Sequence, residues 1–135
     1  MSTIKPSAAA LVSAAATIED EDLRTAIVSG VQGVIAEELA QVKYNSGTQG
    51  FEADAKFRVE GRRYSVQLRA FLIGSKSDPA MELFATLEEA KAKITDLVLD
   101  LEAHVFPSKG AGFYVGEKFM IHSQRYQVNA FVYAL

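Results

Sequence analysis

FEADAKFRVEGRRYSVQLRAFL, residues 51–72, reads as two β-strands and the turn between them. Phe51, Ala53, Ala55, Phe57 and Val59 alternate with Glu52, Asp54, Lys56, Arg58 and Glu60; Tyr64, Val66, Leu68, Ala70 and Leu72 then resume the same period of two. That period places every apolar member on one face of a sheet. A two-residue Gly61-Arg62 turn predicts type II′ geometry, which wants glycine first. The register that follows sets Val59 against Tyr64, Phe57 against Val66, Ala55 against Leu68 and Phe51 against Leu72. On the other face it sets Asp54 opposite Arg69 and Glu60 opposite Arg63, pairs of opposite charge.

A second hairpin is written near the C-terminus, roughly Phe113–His122 and Arg125–Leu135, with Ser123-Gln124 or an earlier Gly116-Glu117 as its turn. The two hairpins share a pattern: Phe57-x-Val59-x-Gly61-x-Arg63-Tyr64-x-Val66-Gln67 aligns with Phe119-x-Ile121-x-Ser123-x-Arg125-Tyr126-x-Val128-Asn129 at an offset of 62. Internal duplication and convergence on good hairpin chemistry both account for it. Before the first hairpin, Leu23, Ile27, Val31, Val34, Ile35, Leu39 and Val42 recur at helical spacing, predicting a helix from about Asp20 to Tyr44. Gly30 and Gly33 inside it suggest close packing against another backbone. Asp78-Pro79 reads as a second helix start, with Thr86 and Glu89 as an inner capping box, and Leu83, Leu87, Ala90, Ile94, Leu97 and Leu101 as its stripe. The expected fold is α+β, in the order αββαββ: one antiparallel sheet of two hairpins with two long helices packed mainly on one face. The chain reads as one domain over 1–135, with 1–17 an Ala-rich arm or short helix.

Composition narrows the chemistry. The 135 residues contain no Cys and two His, which excludes disulfide and thiolate frameworks and leaves little for imidazole metal sites. No nucleophile elbow, metalloprotease helix, phosphate loop, dinucleotide fingerprint or calcium loop is present. His104 falls at the end of the second predicted helix, where an imidazolium would complement the dipole, and His122 falls at a hairpin tip. No catalytic residue, metal ligand or cofactor is expected, and no enzyme activity. The net charge of −3 argues against a general nucleic-acid binder, so specific nucleic-acid binding is not expected. No window has the apolar length of a membrane span, and no secretory leader is read.

The surfaces say more. Residues 19–38 carry Glu19, Asp20, Glu21, Asp22, Glu37 and Glu38 against Arg24 alone, whereas 43–73 carry six basic residues, including Arg58, Arg62, Arg63 and Arg69, against three acids. Such a protomer suits head-to-tail association of its basic hairpin with a neighbour's acidic helix. In both hairpins the face expected to be polar turns apolar: Phe71 and Ile73 in the first, Tyr114, Met120, Phe131, Tyr133 and Leu135 in the second. Two helices on one side of a sheet leave these uncovered, which predicts an oligomer interface, with the Ala-rich N-terminal segment folding over them as the alternative.

The N-terminal helix, the long strand running into Phe71-Leu72-Ile73, the Asp78-Pro79 helix and a final strand over Arg125–Leu135 together resemble tail-terminator and neck proteins of tailed phages. The resemblance implies a ring, often a hexamer, joining the tail tube to the head, with itself and neighbouring virion proteins as partners. It also implies a location in the virion after assembly in the host cytoplasm; without it, a cytoplasmic location is expected. The αββαββ order and the acidic pI are also similar to class I type III secretion chaperones, homodimers that bind a protein segment. That family's third strand and C-terminal helix have no counterpart in this reading. An NTF2-like or cystatin-like domain holding a small ligand is the third alternative, with His104, His122, Tyr114 and the hairpin arginines as its only candidates.

Overall fold

A computed structural model describes residues 18–78 and 80–135, with the side chains of 18–20 left aside. The expected arm or helix over 1–17, Pro79, and the side chains of Glu19 and Asp20 lie outside the described residues. Helix α1 spans Ile18–Glu38 and α2 spans Leu87–Leu97. The strands are β1 (Ala40–Lys43), β2 (Gln49–Val59), β3 (Arg62–Leu72), β4 (Glu102–Phe106), β5 (Gly110–Ile121) and β6 (Gln124–Ala134). They form one antiparallel sheet in the order β1-β2-β3-β6-β5-β4. The class is α+β, and the chain order is αβββαβββ rather than αββαββ.

The two extra strands lie at the sheet's edges and come from segments read as helix. α1 stops at Glu38, and Ala40–Lys43 pairs with Glu52–Gln49. Leu39 and Val42 suit either a helix or a short strand; the Asn45-Ser46-Gly47 turn decides, closed by Gly47 N–H to Tyr44 O and Tyr44 N–H to Thr48 O, both 2.9 Å. The second helix is shorter than expected, 11 residues, because the capping box restarts it. Glu89 N donates to Thr86 Oγ1 (3.1 Å) and Thr86 N to Glu89 Oε1 (2.9 Å), satisfying two donors that a helix start leaves bare. Residues 81–86 approach it outside any helix, and a 3₁₀ turn over Val98–Asp100 leads out into β4.

Both hairpin registers differ from the expected ones by two residues. Val59 pairs with Arg62, Phe57 with Tyr64, Ala55 with Val66 and Phe51 with Ala70. The turn is Glu60-Gly61, at φ 52° and 81°, a type I′ turn with both central residues at positive φ. The second is built alike: Ile121 pairs with Gln124, and His122 and Ser123 turn at φ 53° and 66°. A two-residue slip keeps each side chain on its own face, so alternation alone cannot tell the registers apart.

An approximate two-fold relates the halves. β3 and β6 begin and end 62 residues apart, and at the sheet centre Leu68 pairs with Ala130, also 62 apart. The Phe57–Tyr64 stack (6.0 Å between centroids) has its counterpart in Phe119–Tyr126 (5.1 Å). Gly50 and Gly112 occupy matching places where a Cβ would collide with the carbonyls of Ala70 and Val132, again 62 apart. The helices pack antiparallel: Gln32 Nε2 donates to Thr95 O (3.1 Å) and Lys91 Nζ to Ala36 O (2.8 Å). Between helices and sheet lies the core, where Ile27, Val31, Ile35 and Ile94 meet Phe51, Val66, Leu68, Tyr126 and Val128. The close approach expected at Gly30 is to the ring of Phe57 rather than to backbone, and Gly33 has open space where a Cβ would stand.

Candidate interaction site on the open sheet face

The sheet face away from the helices has no covering element among the described residues. Following the pairing, it carries Tyr44, Glu52, Asp54, Lys56 and Arg58, then Arg63, Gln67, Arg69 and Phe71, then Arg125, Gln127, Asn129, Phe131 and Tyr133. Tyr114, Lys118 and Met120 on β5 and Glu102, His104 and Phe106 on β4 complete it. Of the seven residues read as an oligomer interface, Phe71, Tyr114, Met120, Phe131 and Tyr133 belong to this face, while Ile73 lies in the turn after β3 and Leu135 just beyond β6. Phe71 and Phe131 are half-buried there, Met120 and Leu135 are 55% and 53% exposed, and Tyr133 is buried at 9%. Tyr133 is thus less available than expected: Lys109 lies 4.8 Å over its ring and Phe106 meets its edge.

The two halves of this face share a framework and differ in finish. At the 62-residue offset, Tyr44 and Phe106, Lys56 and Lys118, Arg63 and Arg125, Gln67 and Asn129, and Phe71 and Tyr133 match in kind. The T-shaped Tyr44–Phe71 contact (6.1 Å, 71°) recurs as Phe106–Tyr133 (6.5 Å, 72°). Among the positions that diverge are four that carry charge in the first half and none in the second. Where the first half has Glu52, Asp54, Arg58 and Arg69, the second has Tyr114, Gly116, Met120 and Phe131.

In the first half three of those charges, Glu52, Asp54 and Arg69, satisfy one another. Arg69 holds Asp54 with two parallel bonds, at 2.7 and 2.9 Å, and reaches Glu52 at 3.4 Å. The pair with Asp54, expected directly across the ladder, forms along the diagonal, since Glu52 is the residue opposite Arg69. Hydrogen bonding to Asp54 raises the Arg69 pKa further above its ordinary range. Burial, then the hydrogen bond to Glu52, raises that of Tyr44. The expected Glu60–Arg63 pair is absent from the ladder; Arg58 stands opposite Arg63, and Arg58 Nη1 donates to Gly61 O at 3.0 Å. Arg62 and Arg63 are exposed. Of the expected acidic contacts, Glu21 sits 3.6 Å from Arg24 and Asp22 is exposed.

In the second half the same positions build an aromatic shelf. Tyr114 lies 5.1 Å from Phe131, Phe131 5.9 Å from Phe106, and His104 4.6 Å from Phe106 and 5.5 Å from Tyr114. A Cβ at Gly116 would strike the Tyr114 phenol, whose hydroxyl donates to Asn129 Oδ1 at 2.9 Å, so the missing side chain lets that ring lie over the strand. His104 is therefore part of the shelf on β4 and not at a helix end, because the chain is extended from Glu102 onward. Residues 44, 106 and 109 escaped the sequence reading as site residues, and His104 entered it only as a helix-end residue and small-ligand candidate. The signal was available, since Tyr44 and Phe106 match at the repeat offset.

Charge divides by face. The open-face strands carry Lys56, Arg58, Arg63, Arg69, Lys118 and Arg125 against Glu52, Asp54 and Glu102, a balance of +3 in a chain of −3, which leaves −6 elsewhere. Exposed acids gather on the helix side, among them Glu21, Asp22, Glu37, Glu38, Glu88 and Asp96. Also on that side, hydrogen bonding with Asp100, then burial, raises the Glu117 pKa. His122 Nε2 lies 2.8 Å from Glu89 Oε2, and Glu89 is held below the usual carboxylate range first by the Thr86 backbone N–H and then by His122.

Among the described residues no three His, Asp or Glu side chains gather to hold a metal ion, and no helix is long and apolar enough to cross a membrane. A polar groove of about 450 Å³ runs between the β1 edge and residues 80–84, lined by Gln41, Lys43, Gln49 and Met81 among others. His104 and Tyr114 come together on the shelf; His122 is engaged with Glu89 on the helix side. No family model, curated protein or solved structure matches the chain.

Proposed function

We propose that this protein is a non-catalytic building block that associates with copies of itself through the open sheet face. The observation that carries the reading is the coincidence, on one face that no described element covers, of an aromatic shelf and a positive balance in a chain that is otherwise acidic. Two open faces brought together would oppose positive to positive. An open face against the helix side of the next copy opposes positive to negative, and such a heterologous contact closes into a ring or runs on as a filament. A ring at the head–tail junction of a phage particle is the setting that the resemblance in layout implies. The matched pairs at an offset of 62 support an internal duplication, which supplied the common framework before the second half acquired its apolar shelf.

The test is the mass of the purified chain at micromolar concentration, by light scattering or mass photometry. A ring or longer assembly is the expected result, lost in Phe131→Glu with helix content unchanged. An unchanged mass in that variant would overturn the reading. The third strand in each half brings the chain one step nearer the secretion-chaperone order, and a stable dimer would favour that alternative.

A further inference from the structure

The proposed contact has so far only one side: a shelf with nothing named to fill it. Resting on that reading, we infer that the shelf receives Phe84 and Leu99 of a second copy, two apolar side chains at the ends of α2. Both are unusual for the helix side. Phe84 is 55% and Leu99 54% exposed, in surroundings otherwise rich in acids.

Their backbones are fixed. Phe84 N–H donates to Gln124 Oε1 at 2.9 Å, and Gln124 Nε2 donates to Glu82 O at 2.6 Å. At the other end of α2, Arg24 reaches over from α1, its Nε to Leu101 O at 2.7 Å and its Nη2 to Leu99 O. An exposed apolar side chain on an anchored backbone docks with little ordering cost, which is what a contact hot spot needs.

Spacing and charge agree with the shelf. α2 itself, Leu87–Leu97, rises about 16 Å at 1.5 Å per residue, and Phe84 and Leu99 stand just beyond its two ends. The two apolar places on β5, the aromatic cluster around Tyr114 and the exposed Met120, are six residues apart, about 20 Å at strand rise. Between the apolar ends, α2 exposes two acids, Glu88 and Asp96, against one base, Lys93, and β5 exposes Lys118 with Arg125 beside Met120. Two apolar contacts flanking a set of opposite charges give a one-way joint, shelf to α2.

The test exploits that polarity in the full-length chain. Phe131→Glu or Met120→Glu spoils the shelf and leaves α2 intact; Phe84→Glu combined with Leu99→Glu spoils the α2 side and leaves the shelf intact. Each variant is expected to weaken self-association at least tenfold and to run as a monomer. Mixed one to one, they are expected to form a two-chain species that grows no further, because only one intact shelf and one intact α2 side meet. Met120, more than half exposed, serves if Phe131→Glu perturbs folding. If the wild type assembles and the Phe84/Leu99 variant assembles equally well, or the mixture stays monomeric, this inference fails and the proposed self-association stands. A monomeric wild type, or an assembly that dissolves on nuclease treatment, overturns both.

Discussion

Replacing Glu60 by Asn tests the hairpin geometry on which the assignment of faces depends. Glu60 is the first central residue of the Glu60-Gly61 turn and sits at φ 52°, in the left-handed region. An ordinary L-residue there costs about 1–2 kcal/mol. Asn tolerates the conformation and, followed by glycine, makes the preferred type I′ pair, so Glu60→Asn should recover about 0.5–1 kcal/mol. For a chain of this size that is a rise of roughly 2–4 °C in Tm. Glu60 is exposed among Arg58, Arg62 and Arg63, so the substitution also removes a favourable charge worth at most a few tenths of a kcal/mol. Glu60→Gln removes the same charge and keeps the backbone cost, so the difference between the two variants isolates the turn. Thermal unfolding by circular dichroism measures it. With a Gly61-Arg62 turn, residue 60 would instead be extended, where Asn costs about 0.5 kcal/mol as a poor strand former. A Tm for Glu60→Asn at or below that of Glu60→Gln would refute the type I′ assignment.

Glu117→Gln should stabilise the protein at pH 8 and lose that advantage near pH 4. A carboxyl whose folded-state pKa is raised, as hydrogen bonding with Asp100 raises this one, favours folding in full below its unfolded value; that contribution disappears as pH rises through the folded value. Urea denaturation at the two pH values reads the gap, and a gap independent of pH would contradict the pairing. Arg63→Ser should raise the stability of the free chain by up to about 0.5 kcal/mol by relieving the opposition of Arg58, while weakening self-association. Leu68→Ala, at the centre of the sheet and fully buried, should cost about 3 kcal/mol, measured by the same urea titration with an unchanged m-value.

Faces proved more legible in the sequence than registers or edges. Alternation over 51–72 put Phe71 on the open side, and the same rule put Phe131 and Tyr133 there in the second hairpin. It could not choose between turns one residue apart, because both keep all those side chains where they are. What separates them is the backbone's tolerance of positive φ at Glu60, His122 and Ser123, which residue type only weakly announces. Ala40–Lys43 and Glu102–Phe106 were hidden for another reason. Each is too short for its period to be read and follows directly on a helical stripe, so Leu39 and Leu101 serve helix exit and strand entry alike. Phe71, Tyr114, Met120 and Phe131 were legible because period two separates their face from the core. Phe84 and Leu99 were not, since both stand off the stripe Leu83, Leu87, Ala90, Ile94, Leu97 and Leu101 and no period marks them.

The central place of β3 beside β6 has a consequence during synthesis. β3 ends at Leu72, yet its second neighbour is the last strand of the chain, complete only at Ala134. Every residue of the second half must leave the ribosome before that edge finds its mate. In polysomes, nascent copies side by side each present the same bare row of amide and carbonyl groups, and the mate within one chain competes with the equivalent strand of its neighbour. Slow translation between codons 73 and 124 lengthens that interval, so the yield of correctly closed molecules should depend on the pace at which the second half is made.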